Sequence, residues 1–477
     1  MIASKRRAVS GKTAAAFVAV LIAIAVSAVL INQNIKANSI YVNNSAIILG
    51  VGQEYNLPVE SNAFLKIKSY NDNVVRVDRN GKFTAVSKGE ALVKVGTHDI
   101  AVIVDNAPDS VCFSQAQTDI GNGEKYRVHI QAGSSGCNSG FEFTSSDENI
   151  LTVDSLGEIT GVSNGTAKLS VKTYNGLTAS CIINVKDAPE EITYPYSAKT
   201  VYLGTTANLC PSVTSGSASK TTQIVSDNTD IVKVEGTKLI PVSEGRATVT
   251  ASTYNGKTAQ CEINVVEAPF YIRTNLDPSL PMIALSFDDG PNYASTNAIL
   301  DVLEQYNCSA SFFIVGSRLD FGGNDKCAKR MVEIGCQLGN HTYDHKHYGA
   351  DVTVDDITRG AEKIKEVTGY APSAYRPTGG YMSDIIKENC GAPICLWSID
   401  TNDWSYRNSE KLYNYVLYAA DDGDIILMHD IYSTSATAVE WFVPELVNKG
   451  YQIVNIAELA YYKDVQLENG SVYSSFK

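Results

Sequence analysis

Apolar and polar residues alternate along this chain with two different periods, and the changeover falls near residue 280. Before it, short runs such as "TAKLSVKT" place an apolar side chain at every second position, the period of a half-buried strand. Asn-Gly, Leu-Gly and Glu-Gly pairs between the runs mark turns. After it, the apolar runs "MIALSF", "ASFFIVG", "CQLGN", "APICLWSI", "DIILMH" and "YQIVNI" read as buried strands. Amphipathic segments separate them. From Thr353 to Thr368 the apolar Ile357, Ala361, Ile364 and Val367 fall on one helical face. Strand–helix alternation at this spacing predicts a parallel sheet or a β/α barrel, in which chemistry sits at the carboxyl ends of the strands.

A third pattern opens the chain. The stretch from Thr13 to Ile31 is uncharged and mostly apolar; as a helix rising ~1.5 Å per residue it nearly crosses a ~30 Å hydrocarbon core. Lys5, Arg6, Arg7 and Lys12 precede it and only Lys36 follows closely, so residues 1–36 read as a cytoplasmic basic tail and an uncleaved single-pass anchor. A cleaved signal peptide, cut after "VSA" at 26–28, is the alternative. Either places the remainder outside the cell, which makes the membrane a partner and the cell surface the expected location.

The alternating region repeats itself. "SYNDNVVRVDRNGKFTAVSKGEALVKV" near 69–95 returns as "SSDENILTVDSLGEITGVSNGTAKLSV" near 145–171 and as "SDNTDIVKVEGTKLIPVSEGRATVTA" near 226–251, with Gly89, Gly165 and Gly245 in register. Several short strands per repeat predict small all-β sandwiches at 37–106, 107–188 and 189–267, then a linker over 268–280. The "V-S-x-G-x-A-x-V" core and trailing "YNG-x-TA-x-C-x-INV" resemble bacterial immunoglobulin-like domains of the second group. That resemblance implies modules that bind wall polymer or space out a catalytic head, and the lack of an aromatic cluster or charged patch favours the spacer. His98 and His129 lie in the repeats and are expected at the surface.

With 477 residues, 44% hydrophobic and 19% charged, the chain is long enough for several folded domains. A net charge of −13, with no basic stripe beyond the N-terminus, excludes a nucleic-acid partner. Ten cysteines suit an oxidising compartment, and none form a C-x-x-C zinc pair. Cys210 and Cys261, the two in the third repeat, are expected to bridge. The pairing of the other eight is open.

Candidate chemistry gathers in 281–477, each piece at the end of an apolar run. "SFDDGP" places Asp288 and Asp289 at a strand exit, where adjacent acids point in different directions; an Asp-Gly turn is the plain alternative. "GNHTYDH" sets His341 and His345 four apart, which puts both imidazoles on one side of a helical turn. With a carboxylate they make a three-ligand set that leaves a position open on a metal. His347 then faces away. Further on, "AYRPTGG" ends in Arg376, "LWSIDTNDW" carries Asp400 and Asp403, and "IILMHD" carries His429. One titratable residue at a strand end is ordinary, but five such stretches in order are not.

Together these stretches resemble the polysaccharide deacetylase family over about 281–456, which implies a distorted (β/α) barrel, one divalent metal (usually Zn²⁺) and hydrolysis of acetyl groups on glycans. The resemblance makes Asp288 the general base, Asp289, His341 and His345 the metal ligands, and His429 the general acid. Arg376 steadies the base and Asp403 orients the acid. Trp404 and Leu427 wall the acetyl pocket, and the Gly379 backbone N–H holds the developing oxyanion. Where the family commonly reads Arg-Pro-Pro-Tyr-Gly, this chain reads Arg376-Pro377-Thr378-Gly379-Gly380, which removes a ring beside the substrate groove. Trp397 and Trp441 are expected in the core. Cell-wall peptidoglycan N-acetylglucosamine is the substrate the surface location favours. Chitooligosaccharide or xylan, and an inactive wall-binding protein, are the alternatives.

Overall fold

The computed structural model describes residues 41–42, 46–57, 59–60, 66–96, 98–133 and 140–477. These divide into two compact units: one runs through Ile192 and takes in 213–222 and 253–257, and the other holds the rest of the chain to Lys477. The apolar run Thr13–Ile31 lies outside the described residues, and among those described no helix is long and apolar enough to cross a membrane.

In the first unit two repeats each fold into a four-stranded and a three-stranded sheet. Residues Ala46–Gly50, His98–Asp105, Gly89–Val95 and Ile67–Ser69 form one such four-stranded sheet, and Glu54–Asn56, Lys82–Ala85 and Val75–Val77 the three-stranded one. Inward residues of both sheets share one core, Leu49, Val75, Phe83, Val93 and Val102 among them. In the second unit the third repeat repeats the pattern, with strands Ala198–Tyr202, Thr258–Val266, Gly245–Ser252 and Gln223–Ser226 facing Ala207–Asn208, Lys238–Pro241 and Val232–Glu235.

The recurrent V-S-x-G has a local cause. The serine hydroxyls of Ser87, Ser163 and Ser243 donate at 2.6 Å to the carbonyls of Asn73, Asn149 and Asp230. The preceding valines pin the same loop, Val86 N–H to Val74 O and Val162 N–H to Ile150 O, each at 2.8 Å. The glycine two residues after each serine has φ of 154°, 153° and 141°, and a Cβ there would lie 2.9, 2.8 and 2.7 Å from Val74, Ile150 and Ile231. Backbone conformation and an aliphatic neighbour both demand glycine.

Cys210 and Cys261 do not bridge: both are free thiols. Cys261 occupies an inward position of its strand, whereas Cys210 is exposed. Cys261 points into the core from its strand, while Cys210 sits in the connection between Ala207–Asn208 and Ser212–Val213. Cys112 and Cys181 are also free, and Cys137 lies outside the described residues. His98 and His129 are exposed.

From Met282 the architecture changes to a curled, wholly parallel sheet. Its strands are β1 (Met282–Asp288), β2 (Ser311–Ile314), β3 (Gln337–Asn340), β4 (Ala374–Tyr375), β5 (Ile394–Cys395), β6 (Ile399–Asp400), β7 (Ile425–His429), β8 (Gln452–Val454) and β9 (Val472–Tyr473). They lie in the order β6-β7-β1-β2-β3-β4-β5-β9, with β8 also on β1. The helices are α1 (Tyr293–Gln305), α2 (Asn324–Glu333), α3 (Val354–Thr368), α4 (Asp384–Asn389), α5 (Asp403–Tyr406), α6 (Ser409–Ala419), α7 (Ser433–Asn448) and α8 (Ile456–Tyr462). "APICLWSI", expected as one strand, is split into β5 and β6.

Every residue of β1 is buried, yet its two faces differ. Ile283, Leu285 and Phe287 pack with Leu300, Val439 and Phe442 of α1 and α7. Met282 and Ala284 pack in the other cluster, with Ile425, Ile456 and Leu459. Because strand side chains alternate, Ser286 and Asp288 continue the second series, and on β7 Leu427 and His429 continue that of Ile425. The alternation carries both titratable residues to one side of the sheet.

The segment 268–280 is packed rather than loose. Arg273 meets Glu458 of α8 through Nε at 2.8 Å and through Nη2 at 2.8 Å, and Tyr462 Oη donates to the Arg273 carbonyl at 2.6 Å. The third repeat also meets α8 and the turn after it: the Tyr202 and Tyr461 rings lie 4.8 Å apart, and the buried Lys199 pairs with Asp464.

Gly165→Ala is expected to destabilise its sandwich by about 1–3 kcal/mol, the range for a strained backbone site. Hydrogen exchange over Leu151–Val153 and Gly165–Thr173 should quicken while β1 and β7 keep their protection; equal protection in both would refute the assignment.

Candidate active site

The site is assembled at the carboxyl ends of β1, β3, β4, β6 and β7. Asp288 closes β1, and in the parallel ladder its Cα partner on β7 is His429. Main-chain register alone therefore sets a carboxylate beside an imidazole. Asp289 follows with φ of 71°, a left-handed residue that turns its side chain away from that of Asp288.

Asp289, His341 and His345 come together. Asp289 Oδ1 lies 3.5 Å from His341 Nε2 and 3.0 Å from His345 Nε2, and one donor atom from each residue falls within 4.8 Å of the others. The histidines reach it differently from the expected helical turn. Thr342 (φ 67°) and His345 (φ 60°) are both left-handed, so a doubled-back loop presents the two rings. Helix α3 braces that loop: Asn340 Nδ2 donates to Ile357 O at 2.9 Å, and Gly360 leaves only 2.4 Å between a would-be Cβ and Asn340 Oδ1.

These residues fit a divalent cation. Asp289 Oδ1 is buried and makes no hydrogen bond. His341 Nδ1 lies 2.7 Å from the Arg376 carbonyl, which only accepts, so Nδ1 carries the proton and Nε2 offers a lone pair. Burial opposes ionisation of Asp289, but the two imidazoles outweigh it and hold the carboxyl far below the usual range. Asp344, His347 and Asp356 form a second close group. There Lys346 already pairs with Asp344, and Asp356 caps α3 through Thr353 while meeting His347 Nδ1 at 3.0 Å. His347 is exposed, as expected, and anchored.

Arg376 follows β4 and is fully buried. Its Nη1 donates to Asp288 Oδ1 at 2.8 Å, Nε to Cys395 O at 2.7 Å and Nη2 to Leu396 O at 2.9 Å. Phe313 stacks at 4.0 Å from the guanidinium carbon and Trp397 lies at 5.5 Å. A buried cation so paired keeps Asp288 facing an opposite charge.

Asp403, also fully buried, opens α5. It accepts from His429 Nδ1 at 2.7 Å, from the His429 backbone N–H at 2.8 Å and from Ser435 Oγ at 2.5 Å. Burial disfavours a charged His429, but the hydrogen bond and charge of Asp403, helped by Asp288 and Asp289, raise its pKa to about 9. Asp400 stays at the end of β6, bonding the Asn402 backbone N–H at 2.8 Å, and joins neither group.

Leu427 is buried, whereas Trp404 is 54% exposed. Gly379 has φ of 63° in the turn Thr378–Gly380. Trp441, expected in the core, is 43% exposed, because α7 turns it outward beside Tyr413. Three residues near the site carry no sequence signal of their own. Tyr432 lies 6.0 Å from the His429 ring, beneath the Arg407 guanidinium. Tyr348 lies 5.6 Å from the His345 ring. Asp430 is buried under Gly290, where a Cβ would fall 2.1 Å from its carboxyl oxygen, and burial pushes its pKa up to about 7.

Residues 276–391 match the family model described as polysaccharide deacetylase. The chain is 32% identical over 208 residues to a peptidoglycan-N-acetylglucosamine deacetylase of Bacillus cereus, covering 42% of this chain and 97% of that one. It is 36% identical over 187 residues to the peptidoglycan-N-acetylmuramic acid deacetylase PdaC of Bacillus subtilis, covering 39% of this chain and 40% of PdaC. To the peptidoglycan-N-acetylglucosamine deacetylase PgdA of Listeria monocytogenes it is 37% identical over 212 residues, 44% of either chain. The chain thus spans less than half the length of these last two relatives.

Arg376→Met should destabilise the domain by about 3–5 kcal/mol, because Asp288 is left buried without its partner. Denaturant unfolding followed by Trp397 fluorescence tests this. An unchanged midpoint would show that the pair contributes nothing.

Proposed function

Because the chain belongs to the polysaccharide deacetylase family, we propose that it removes N-acetyl groups from cell-wall glycan, with peptidoglycan N-acetylglucosamine as substrate. The family is metal-dependent, and Asp289, His341 and His345 are the residues that would hold the ion, most simply Zn²⁺. The observation that carries the reading is the pairing across β1 and β7: Asp288 and His429 stand side by side next to that group, each with its own buried partner.

The chemistry divides between them. A bound divalent ion acidifies water and polarises a carbonyl. Asp288 takes the proton of the attacking water as its oxygen adds to the amide carbon, and Arg376 holds that carboxylate in place through its hydrogen bond. The Gly379 backbone N–H faces the carbonyl oxygen as it becomes negative. His429 gives its proton to the departing nitrogen, the C–N bond breaks, and acetate and the free amine leave. Asp403 fixes the tautomer, since its carboxylate accepts from Nδ1 and leaves Nε2 to carry the transferable proton. Trp404 and Leu427 wall the acetyl pocket in this scheme.

Three sandwiches and an apolar N-terminal run accord with a membrane-anchored enzyme at the cell surface, its immunoglobulin-like modules acting as a stalk. The names of the relatives leave two sugars in view. The shares of identity to PdaC and PgdA do not separate N-acetylmuramic acid from N-acetylglucosamine, so mapping products on purified peptidoglycan decides between them.

The full chain should release acetate from an N-acetylglucosamine oligomer, lose that activity to a chelator and regain it with a divalent ion. Asp288→Asn should lower kcat by about 10²–10⁴, the usual worth of a positioned base. No acetate from any acetylated glycan would leave a wall-binding protein instead.

The proton giver sets the alkaline limit. His429 must be protonated to act, so kcat should fall as pH rises through about 9. Asp403→Asn removes the charge that raises this pKa and should move the limb to lower pH. A limb that stays in place in that variant would assign it to another group.

A further inference from the structure

The turn Thr378–Gly380 has no side chain where two rings need the room. Tyr348 and Tyr381 are 45% and 62% exposed, large apolar faces left to water beside a polar site. Their ring centroids lie 6.3 Å apart and nearly perpendicular, and Tyr348 in turn stands edge-on to the His345 ring at 5.6 Å. Both rings close over Gly379. A Cβ at that position would fall 3.0 Å from Cδ2 and Cε2 of Tyr381 and 3.4 Å from Tyr348 Cδ1, and φ of 63° already favours glycine there. The next residue is as restricted: a Cβ at Gly380 would meet Trp397 at 2.8 Å. Two consecutive glycines thus let a tyrosine two residues beyond Gly379 fold back over the turn.

Exposed aromatic faces of this kind suit a ligand that offers flat arrays of C–H groups with hydroxyls at the rim, which describes a pyranose ring. Through the ring that abuts His345, the tyrosine pair reaches the edge of the Asp289, His341 and His345 group. We infer that Tyr381, braced by Tyr348 and admitted by Gly379, is the stacking platform for the sugar at the reactive position and sets affinity for the glycan. The inference rests on the deacetylase reading and adds the residue that grips the substrate.

The test uses the full chain with its divalent ion and an N-acetylglucosamine tetramer. Tyr381→Ala should raise KM about tenfold, the equivalent of one aromatic contact, with kcat changed less than about twofold. Tyr381→Phe, which keeps the ring, should restore KM. Gly379→Ala should raise KM as well, since it displaces the ring. An unchanged KM in Tyr381→Ala, or a fall in kcat alone, overturns the platform. If the native chain releases no acetate, calorimetric binding of the same tetramer decides: loss of binding in Tyr381→Ala keeps the platform while the enzymatic reading falls, and equal binding or none in both chains overturns it.

Discussion

A guanidinium that water cannot reach must find its counter-charge and its acceptors inside the fold, and Arg376 finds them among the groups assigned to the proposed reaction. Its side chain spends one donor on Asp288 and two on the carbonyls of Cys395 and Leu396. Its own carbonyl receives His341 Nδ1. One buried residue thereby fixes the proposed proton acceptor, the tautomer of His341 and the link between β5 and β6. Pairing of this kind is costly to break because each partner is left uncompensated in a medium that screens charge weakly.

The same economy governs the other half of the site. Asp403 binds both the ring and the backbone N–H of His429, so position and tautomer are set by one carboxylate. Since Asp288 and His429 are register partners on adjacent strands, the two halves are held apart by sheet geometry rather than by loops. Loops supply what the sheet cannot: the left-handed residues Asp289, Thr342 and His345, which bring the Asp289, His341 and His345 side chains together.

Much of this was legible in the residues. Strand-terminal acids, histidines and the arginine announce themselves because a buried apolar run followed by a titratable side chain is unusual, and period-two alternation then tells which face each will take. The helix expected over Thr353–Thr368 forms as α3 with Thr353 as its cap. The three aligned glycines mark positions whose backbone and neighbours exclude a Cβ. Other features were hidden because they depend on contacts remote in sequence. The spacing of His341 and His345 suggests a helical turn, but braces from α3 impose a reversal. Cys210 and Cys261 share a repeat without sharing a face. Trp441 has the composition of a core residue, and only the packing of α6 and α7 turns it outward. Tyr348 and Tyr381 lie far apart in the chain and meet over a glycine.

The attachment of the third sandwich to α8 has a mechanical corollary. Gln337, Ser373 and Pro393, which line the same cavity as Lys199, Tyr202 and Tyr461, lie at or just before the amino ends of β3, β4 and β5. The sandwich therefore meets the floor of the curled sheet, while Asp288, His429 and the candidate metal group occupy its rim. Tension arriving through the third sandwich would pass by two routes in parallel, into α8 by the covalent segment clasped by Arg273 and Glu458 and into the turn after it by the lateral clasp of Lys199 and Asp464. Load would then enter at the amino ends of the strands, the opposite edge of the sheet from Asp288, His429 and the Asp289, His341 and His345 group.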